Sequence, residues 1–178
     1  VDDTVGKVVR ALKASGQYEN TLIVMTSDHG DFGSKYGILG KSWCMDDVLV
    51  RIPLFVSHPA HRGTGRRSQA LVENVDILPT LLETAGLAIP NKTQGKSLLP
   101  IVSNKAEHIK DAVFSFHSSE DSSDRLNLSM VRQGRWKLVQ TDTGEDQLYN
   151  LETDPHEWTN RINDPACREQ RDALRLEL

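Results

Sequence analysis

The chain opens with apolar residues at helical spacing and continues with short, fully apolar runs. The first pattern predicts a helix over residues 3–15. The runs at residues 22–25 and 52–56 are typical of strands that are buried on both faces of a parallel sheet. A second helix is predicted over residues 76–85, with Asp76 as its N-cap. The first half of the chain therefore predicts a piece of an α/β sheet with flanking helices.

After about Lys105 the pattern changes to short alternating segments with turn residues between them. A polar loop is predicted over residues 118–124, and a final helix from about Asp164. We therefore divide the chain into an α/β part, residues 1–105, and a small antiparallel α+β subdomain, residues 106–178. The strands predicted in the second part are residues 112–116, 128–131, 136–140 and 147–151.

Composition excludes several classes of protein. The net charge of −4 over 178 residues gives no basic footprint for nucleic acid. No apolar run approaches the ~20 residues of a membrane span. Cys44 and Cys167 are too few for a disulfide framework, and two free thiols are favoured over a single bridge.

Polar residues able to do chemistry follow the first predicted strand. Asp28 and His29 come directly after it, and open α/β sheets bind ligands at the carboxyl ends of their strands. A carboxylate and an imidazole suit a divalent cation, although two ligands do not complete its shell. The alternative is an Asx turn that closes the strand, with His29 as an ordinary polar residue.

A glycine-rich loop follows and ends at Lys41. An ammonium in this position could bind an anionic oxygen, and the alternative is a solvated surface lysine. Lys35, in the same loop, could add positive charge for an anionic sugar. His117 ends a predicted strand and could line a substrate cleft. The alternative for Lys35 and His117 is an ordinary surface position.

These residues lie in sequence blocks that resemble the sulfatase family of the alkaline phosphatase superfamily. The resemblance covers nearly the whole chain and implies part of an alkaline-phosphatase-like mixed sheet sandwiched by helices, followed by the small antiparallel subdomain. The blocks are TSDHGD at residues 26–31, GILGK at 37–41, RIPLFV at 51–56, VDILPTLL at 75–82, GKSLLP at 95–100, RQGRWKL at 132–138 and LYNLE at 148–152.

The resemblance implies roles for three residues. Asp28 and His29 would be two ligands of one divalent cation, calcium in most relatives and magnesium in some. Lys41 would hold a sulfate oxygen and stabilise charge in the transition state. Tyr36 stands where many relatives have a histidine, so the substrate class does not follow from this loop.

The family nucleophile is a formylglycine made from Cys or Ser in a Cys/Ser-x-Pro/Ala-x-Arg motif. The chain contains no such motif, and Cys44 is followed by Met45, Asp46 and Asp47. We therefore expect the nucleophile in an N-terminal half of the same enzyme, which would be the partner of this segment. The 178 residues alone are expected to be inactive.

Three functions remain in competition at this point. The first is a sulfuric ester hydrolase that acts on aryl or carbohydrate sulfates and uses this segment for part of its metal and sulfate site. The second is a phosphate or phosphonate ester hydrolase of the same superfamily. The third is a non-catalytic fragment or module. The sequence leaves the compartment open, and relatives are periplasmic, secreted or lysosomal.

Overall fold

The computed structural model describes residues 1–63, 65–118 and 126–178. The polar loop predicted over residues 118–124 falls almost entirely outside these ranges. In chain order the regular elements are α1 Asp2–Ala14, β1 Ile23–Thr26, α2 Asp47–Val50, β2 Leu54–Ser57, α3 Ile77–Thr84, α4 Leu99–Val102, β3 Ala112–Ser118, β4 Asn127–Gln133, β5 Trp136–Thr141, β6 Gln147–Asn150 and α5 Arg168–Arg175. Among the described residues, no helix has the length and apolar composition needed to cross a bilayer.

The chain divides into two compact units. The first contains residues 1–26, 53–69 and 74–109, and the second contains residues 27–52, 70–73 and 110–178. The second unit therefore includes the segment that follows β1, together with the C-terminal sheet. The division at residue 105 stays a prediction for the domain boundary.

In the first unit, β1 and β2 pair in antiparallel fashion, with Ile23 opposite Ser57 and Thr26 opposite Leu54. Within the described residues they form a two-stranded sheet, and most of their side chains are only half-buried. The expectation of strands enclosed on both faces of a parallel sheet is wrong for this pair. A continuous apolar run sets neither strand direction nor the number of neighbours.

The predicted second helix is confirmed as α3, and its start is fixed by buried polar contacts. Asp76 lies at the N-cap position, is fully buried, and accepts the Lys96 N–H at 2.8 Å. Thr80 accepts the Leu98 N–H at 2.8 Å. A Cβ on Gly95 would lie 2.0 Å from the Val75 carbonyl oxygen, so only glycine fits this close approach.

In the second unit, β3, β4, β5 and β6 form an antiparallel sheet in sequential order, as predicted. Gly134 has a φ of +55° in the two-residue turn between β4 and β5. The predicted final helix begins with a 3₁₀ turn, Pro165–Cys167, that leads into α5, and Asp164 caps this turn by accepting the Ala166 N–H at 3.0 Å. Cys44 and Cys167 are free thiols. The buried core between this sheet and α5 contains Val131, Leu138, Leu148, Cys167 and Leu174.

The core predicts a clear stability effect at Leu138, which is 0% exposed. Leu138→Ala should lower the free energy of unfolding by about 2–5 kcal/mol, because it leaves a cavity among side chains that relax only in part. Urea unfolding measures this change. Leu176→Ala is the matched control, since Leu176 is 90% exposed and its truncation should change stability little. Equal losses in both variants would contradict the assignment of the core.

Candidate functional site

Asp28 and His29 follow β1 and turn their side chains toward each other. His29 Nε2 lies 3.6 Å from Asp28 Oδ2, and the two side chains are 42% and 84% exposed. The His29 N–H donates to Asp28 Oδ1 at 2.9 Å, and the Ser27 hydroxyl donates to the His29 carbonyl at 2.7 Å. These local hydrogen bonds hold an exposed oxygen and a ring nitrogen on the same side of the backbone.

The polar contacts of the pair fix the His29 tautomer and favour the ionised Asp28 carboxylate. His29 Nδ1 lies 2.7 Å from the Gly30 carbonyl oxygen, which can only accept, so Nδ1 carries a proton. In the neutral ring, Nε2 then presents its lone pair on the side of Asp28. The backbone N–H of His29 holds the pKa of the Asp28 carboxyl below its usual range. At neutral pH the Asp28 carboxylate is therefore ionised and lies beside the ring nitrogen Nε2 of His29.

This donor pair fits part of a divalent-cation shell. Two ligands at right angles around a cation with bonds of about 2.3–2.6 Å lie about 3.3–3.7 Å apart, whereas bonds of about 2.0–2.1 Å place them about 2.8–3.0 Å apart. The observed 3.6 Å between Asp28 Oδ2 and His29 Nε2 matches the longer bonds. Among the described residues, no group of three or more His, Cys, Asp or Glu side chains could hold a metal. The role of Asp28 and His29 as two ligands of one cation stays a prediction.

Gly30 attaches the donor pair to α2. Its N–H donates to the Leu49 carbonyl at 2.8 Å, directly after the two donor residues. A Cβ at Gly30 would lie 1.8 Å from the Val48 carbonyl oxygen. Only glycine allows two backbones to pass this closely.

The glycine-rich loop is closed by its own backbone. The Phe32 N–H donates to the Gly40 carbonyl at 2.9 Å, and the Ser34 N–H donates to the Ile38 carbonyl at 3.1 Å. Lys41 follows this closure directly and is exposed. Lys41 thus follows a residue, Gly40, whose carbonyl is bonded to Phe32. Phe32 is four residues after Asp28.

Lys35 is engaged inside the loop. Its ammonium lies 2.8 Å from Asp46 Oδ2 and donates to the His156 carbonyl at 3.3 Å. Burial opposes the charge, but the Asp46 carboxylate outweighs it and raises the pKa of Lys35. This ion pair accounts for Lys35 as an anchor of the loop. Its contribution to substrate binding stays a prediction.

His117 lies near the segment that carries Lys41. The Trp43 ring packs edge-on against the His117 imidazole, with 4.5 Å between ring centroids. Within the described ranges, His117 Nε2 is buried and has no hydrogen-bond partner. A nitrogen left without a partner has spare capacity to bind a polar group of a ligand. The role of His117 in substrate binding stays a prediction.

Sequence reasoning missed Asp46, which fixes the end of the loop. Asp46 caps α2 by accepting the Val48 N–H at 2.9 Å and also accepts the bond from the Tyr36 hydroxyl at 3.1 Å. The signal was present, because an aspartate before a short apolar run is typical of a helix N-terminus. The four-residue α2 was too short to be recognised from periodicity.

Comparison with known proteins decides the family. Residues 34–178 match the family described as "N-sulphoglucosamine sulphohydrolase, C-terminal". The chain belongs to the sulfatase family. It is 31% identical to the N-acetylglucosamine-6-O-sulfatase of Bacteroides thetaiotaomicron over 166 residues, which cover 90% of this chain and 30% of the relative. The chain thus spans about a third of the length of the curated relatives that it matches.

Solved sulfatase structures share the fold. One was solved in complex with its substrate D-glucosamine-2-N,6-O-disulfate; it superposes with a TM-score of 0.89 at 28% identity, over 99% of this chain and 37% of that one. The phosphonate monoester hydrolase of Agrobacterium radiobacter superposes with a TM-score of 0.87 at 30% identity, over 99% of this chain and 38% of that one. The predicted sulfatase resemblance and fold class are confirmed.

The substitution Gly30→Ala tests the contact between Gly30 and α2. Gly30→Ala places a Cβ 1.8 Å from the Val48 oxygen, so the bond from residue 30 to Leu49 must break. We expect faster amide exchange in peptides that cover residues 28–49, and a loss of thermal stability. Gly6→Ala is the matched control, because its Cβ meets only the flexible side chain of Arg10. Equal exchange in the parent and Gly30→Ala would refute the attachment to α2.

Proposed function

We propose that the protein that carries this chain hydrolyses sulfate esters, and that this segment supplies part of its cation and sulfate site. The observation that carries the proposal is the 3.6 Å approach of His29 Nε2 to Asp28 Oδ2, in a sulfatase-family chain. A carboxylate oxygen and an imidazole nitrogen that lie this close together are suited to bind one cation. The closed loop that follows them ends at Lys41, which is exposed.

Calcium is the proposed cation, with magnesium as the alternative. Calcium is the cation that the family resemblance implies in most relatives, and the 3.6 Å between Asp28 Oδ2 and His29 Nε2 lets both atoms contact one cation. Asp28 contributes a charged oxygen that stays ionised at neutral pH. When bound, the cation would withdraw charge from the sulfate oxygens and so favour attack at sulfur.

Lys41 is proposed as the group that binds a sulfate oxygen. Its side chain is exposed, and an ammonium gains most from an anionic oxygen whose charge grows in the transition state. The attacking formylglycine is proposed to lie elsewhere in the protein, since the chain lacks its sequence motif. The role of the present residues is to bind the sulfate and neutralise its charge.

A sulfated carbohydrate is the proposed substrate class. The N-acetylglucosamine-6-O-sulfatase relative and the structure with D-glucosamine-2-N,6-O-disulfate both support an amino sugar sulfate. The phosphonate monoester hydrolase neighbour keeps phosphonate and phosphate esters as the second candidate. The two candidates differ in the charge and geometry of the ester, so direct competition between substrates separates them.

The activity test compares two lysine variants in the protein that carries this chain together with its nucleophile. Lys41→Ala should lower kcat/KM for glucosamine-6-sulfate about 100-fold or more, because charge on the sulfate oxygens loses a partner in the transition state. Lys92→Ala removes an exposed lysine in a turn of the other unit and should leave kcat/KM unchanged.

Two results would contradict the proposed function. An unchanged kcat/KM in Lys41→Ala would remove Lys41 from the site. A parent kcat/KM higher for a phenyl phosphonate monoester than for any sulfate ester tested would favour the second candidate.

A further inference from the structure

A buried lysine contacts the start of α2, the helix to which Gly30 is bound. Lys137, on β5, is 0% exposed. Its Nζ lies 3.1 Å from Asp47 Oδ1 and 2.6 Å from Glu157 Oε1. Arg132 Nη1 lies 4.0 Å from the second oxygen of Asp47, so two cations balance two carboxylates. We call Lys137, Asp47 and Glu157 the buried triad.

Stability alone is a weak explanation for the buried triad. Desolvation of an ammonium and two carboxylates is costly, and well-packed apolar residues often serve a core equally well. Burial raises the pKa of Glu157, which shows how unfavourable this environment is for the charge. Buried ionic groups can instead fix one arrangement of the chain, since each charge is stable only beside its partner.

The backbone of Glu157 has an unfavourable conformation that allows its carboxylate to join the triad. Its φ is +59°, a left-handed conformation that non-glycine residues rarely adopt. In this conformation its carboxylate reaches Lys137 with one oxygen and accepts the Asp47 N–H at 2.8 Å with the other. Glu157 therefore binds both the side-chain partner and the first helical N–H of α2.

The triad connects to the candidate site through α2. Asp47 is the first residue of this helix, and Leu49, half a turn later, accepts the Gly30 N–H at 2.8 Å. Gly30 directly follows Asp28 and His29. Asp46, which precedes Asp47, binds Lys35 in the glycine-rich loop. The two adjacent aspartates thus hold α2 to β5 on one side and hold the loop on the other.

We propose that the buried triad is a positioning device for the segment from Asp28 to Lys41, with Lys137 as its central positioning residue. It acts through α2 and touches neither substrate nor cation. The proposal deepens the proposed function and rests on it where cation binding is measured. Loss of the triad frees α2 to shift, and Gly30 with its two donor neighbours shifts with it.

The test uses three variants of the full protein that carries this chain. Asp47→Asn and Glu157→Gln keep side-chain size and remove one charge, and Lys137→Met removes the ammonium. Glu152→Gln is the matched control, because Glu152 forms an exposed ion pair with Arg135 at 2.9 Å. Two quantities are measured at a temperature where each variant is folded: amide exchange by peptide, and calcium affinity by calorimetry with calcium chloride.

We expect exchange in residues 28–41 to rise at least tenfold in all three triad variants, while strands β3 to β6 keep the parent rates. Calcium affinity should fall about 10–100-fold, as it does when groups that orient metal ligands are lost. Glu152→Gln should match the parent in both measurements. If Lys137→Met does not fold, Asp47→Asn and Glu157→Gln decide the result.

Parent-like exchange in residues 28–41 of the folded triad variants would overturn the positioning role, whatever their global stability. A uniform rise in exchange over the whole second unit would also overturn it, since the triad would then serve stability alone. The exchange measurement needs no cation. If the parent itself binds no calcium, the metal part of the proposed function fails, and the exchange result still decides the role of the triad.

Discussion

A fully buried ammonium must lie against carboxylates, and this requirement organises the second unit of the protein. Lys137 has Asp47 and Glu157 within 3.1 Å. These three side chains come from β5, from the start of α2, and from the turn after β6. Chain segments that are distant in sequence are thus brought to fixed separations. If the charges moved apart, each would be left desolvated and without its partner. The arrangement therefore tolerates little displacement.

The groups proposed to bind ligand and the groups that hold them differ in exposure. Asp28, His29 and Lys41 are open to solvent, whereas Lys137 and Glu157 are buried and Asp47 is partly buried. Between the two layers are backbone contacts, above all the Gly30 N–H to the Leu49 carbonyl. An exposed side chain is mobile unless its backbone is fixed. The positions of exposed groups therefore depend on the buried contacts that hold their backbone. In the proposed function, this division is what holds the exposed groups of a loop in place.

Much of the fold followed from local patterns, and the remainder depended on contacts that patterns do not encode. Helix α1, helix α3 and the four-stranded sheet were predicted because their apolar periodicity is long or their turns carry glycine. The antiparallel pairing of β1 with β2 was missed, since an apolar run does not indicate which strand it pairs with or in which direction. Asp28, His29 and Lys41 were singled out by motif. Lys137 lay in a recognised block, but its pairing was not predicted. Its two partners are Glu157, 20 positions later, and Asp47, 90 positions earlier.

The most direct test of the account is anomalous X-ray diffraction from crystals of the intact protein grown with calcium. The account predicts a calcium peak bonded to the Asp28 carboxylate and to His29 Nε2, with Lys137 still between Asp47 and Glu157. A calcium ion that contacts neither Asp28 nor His29, or side chains of this pair that point apart in the crystal, would contradict it.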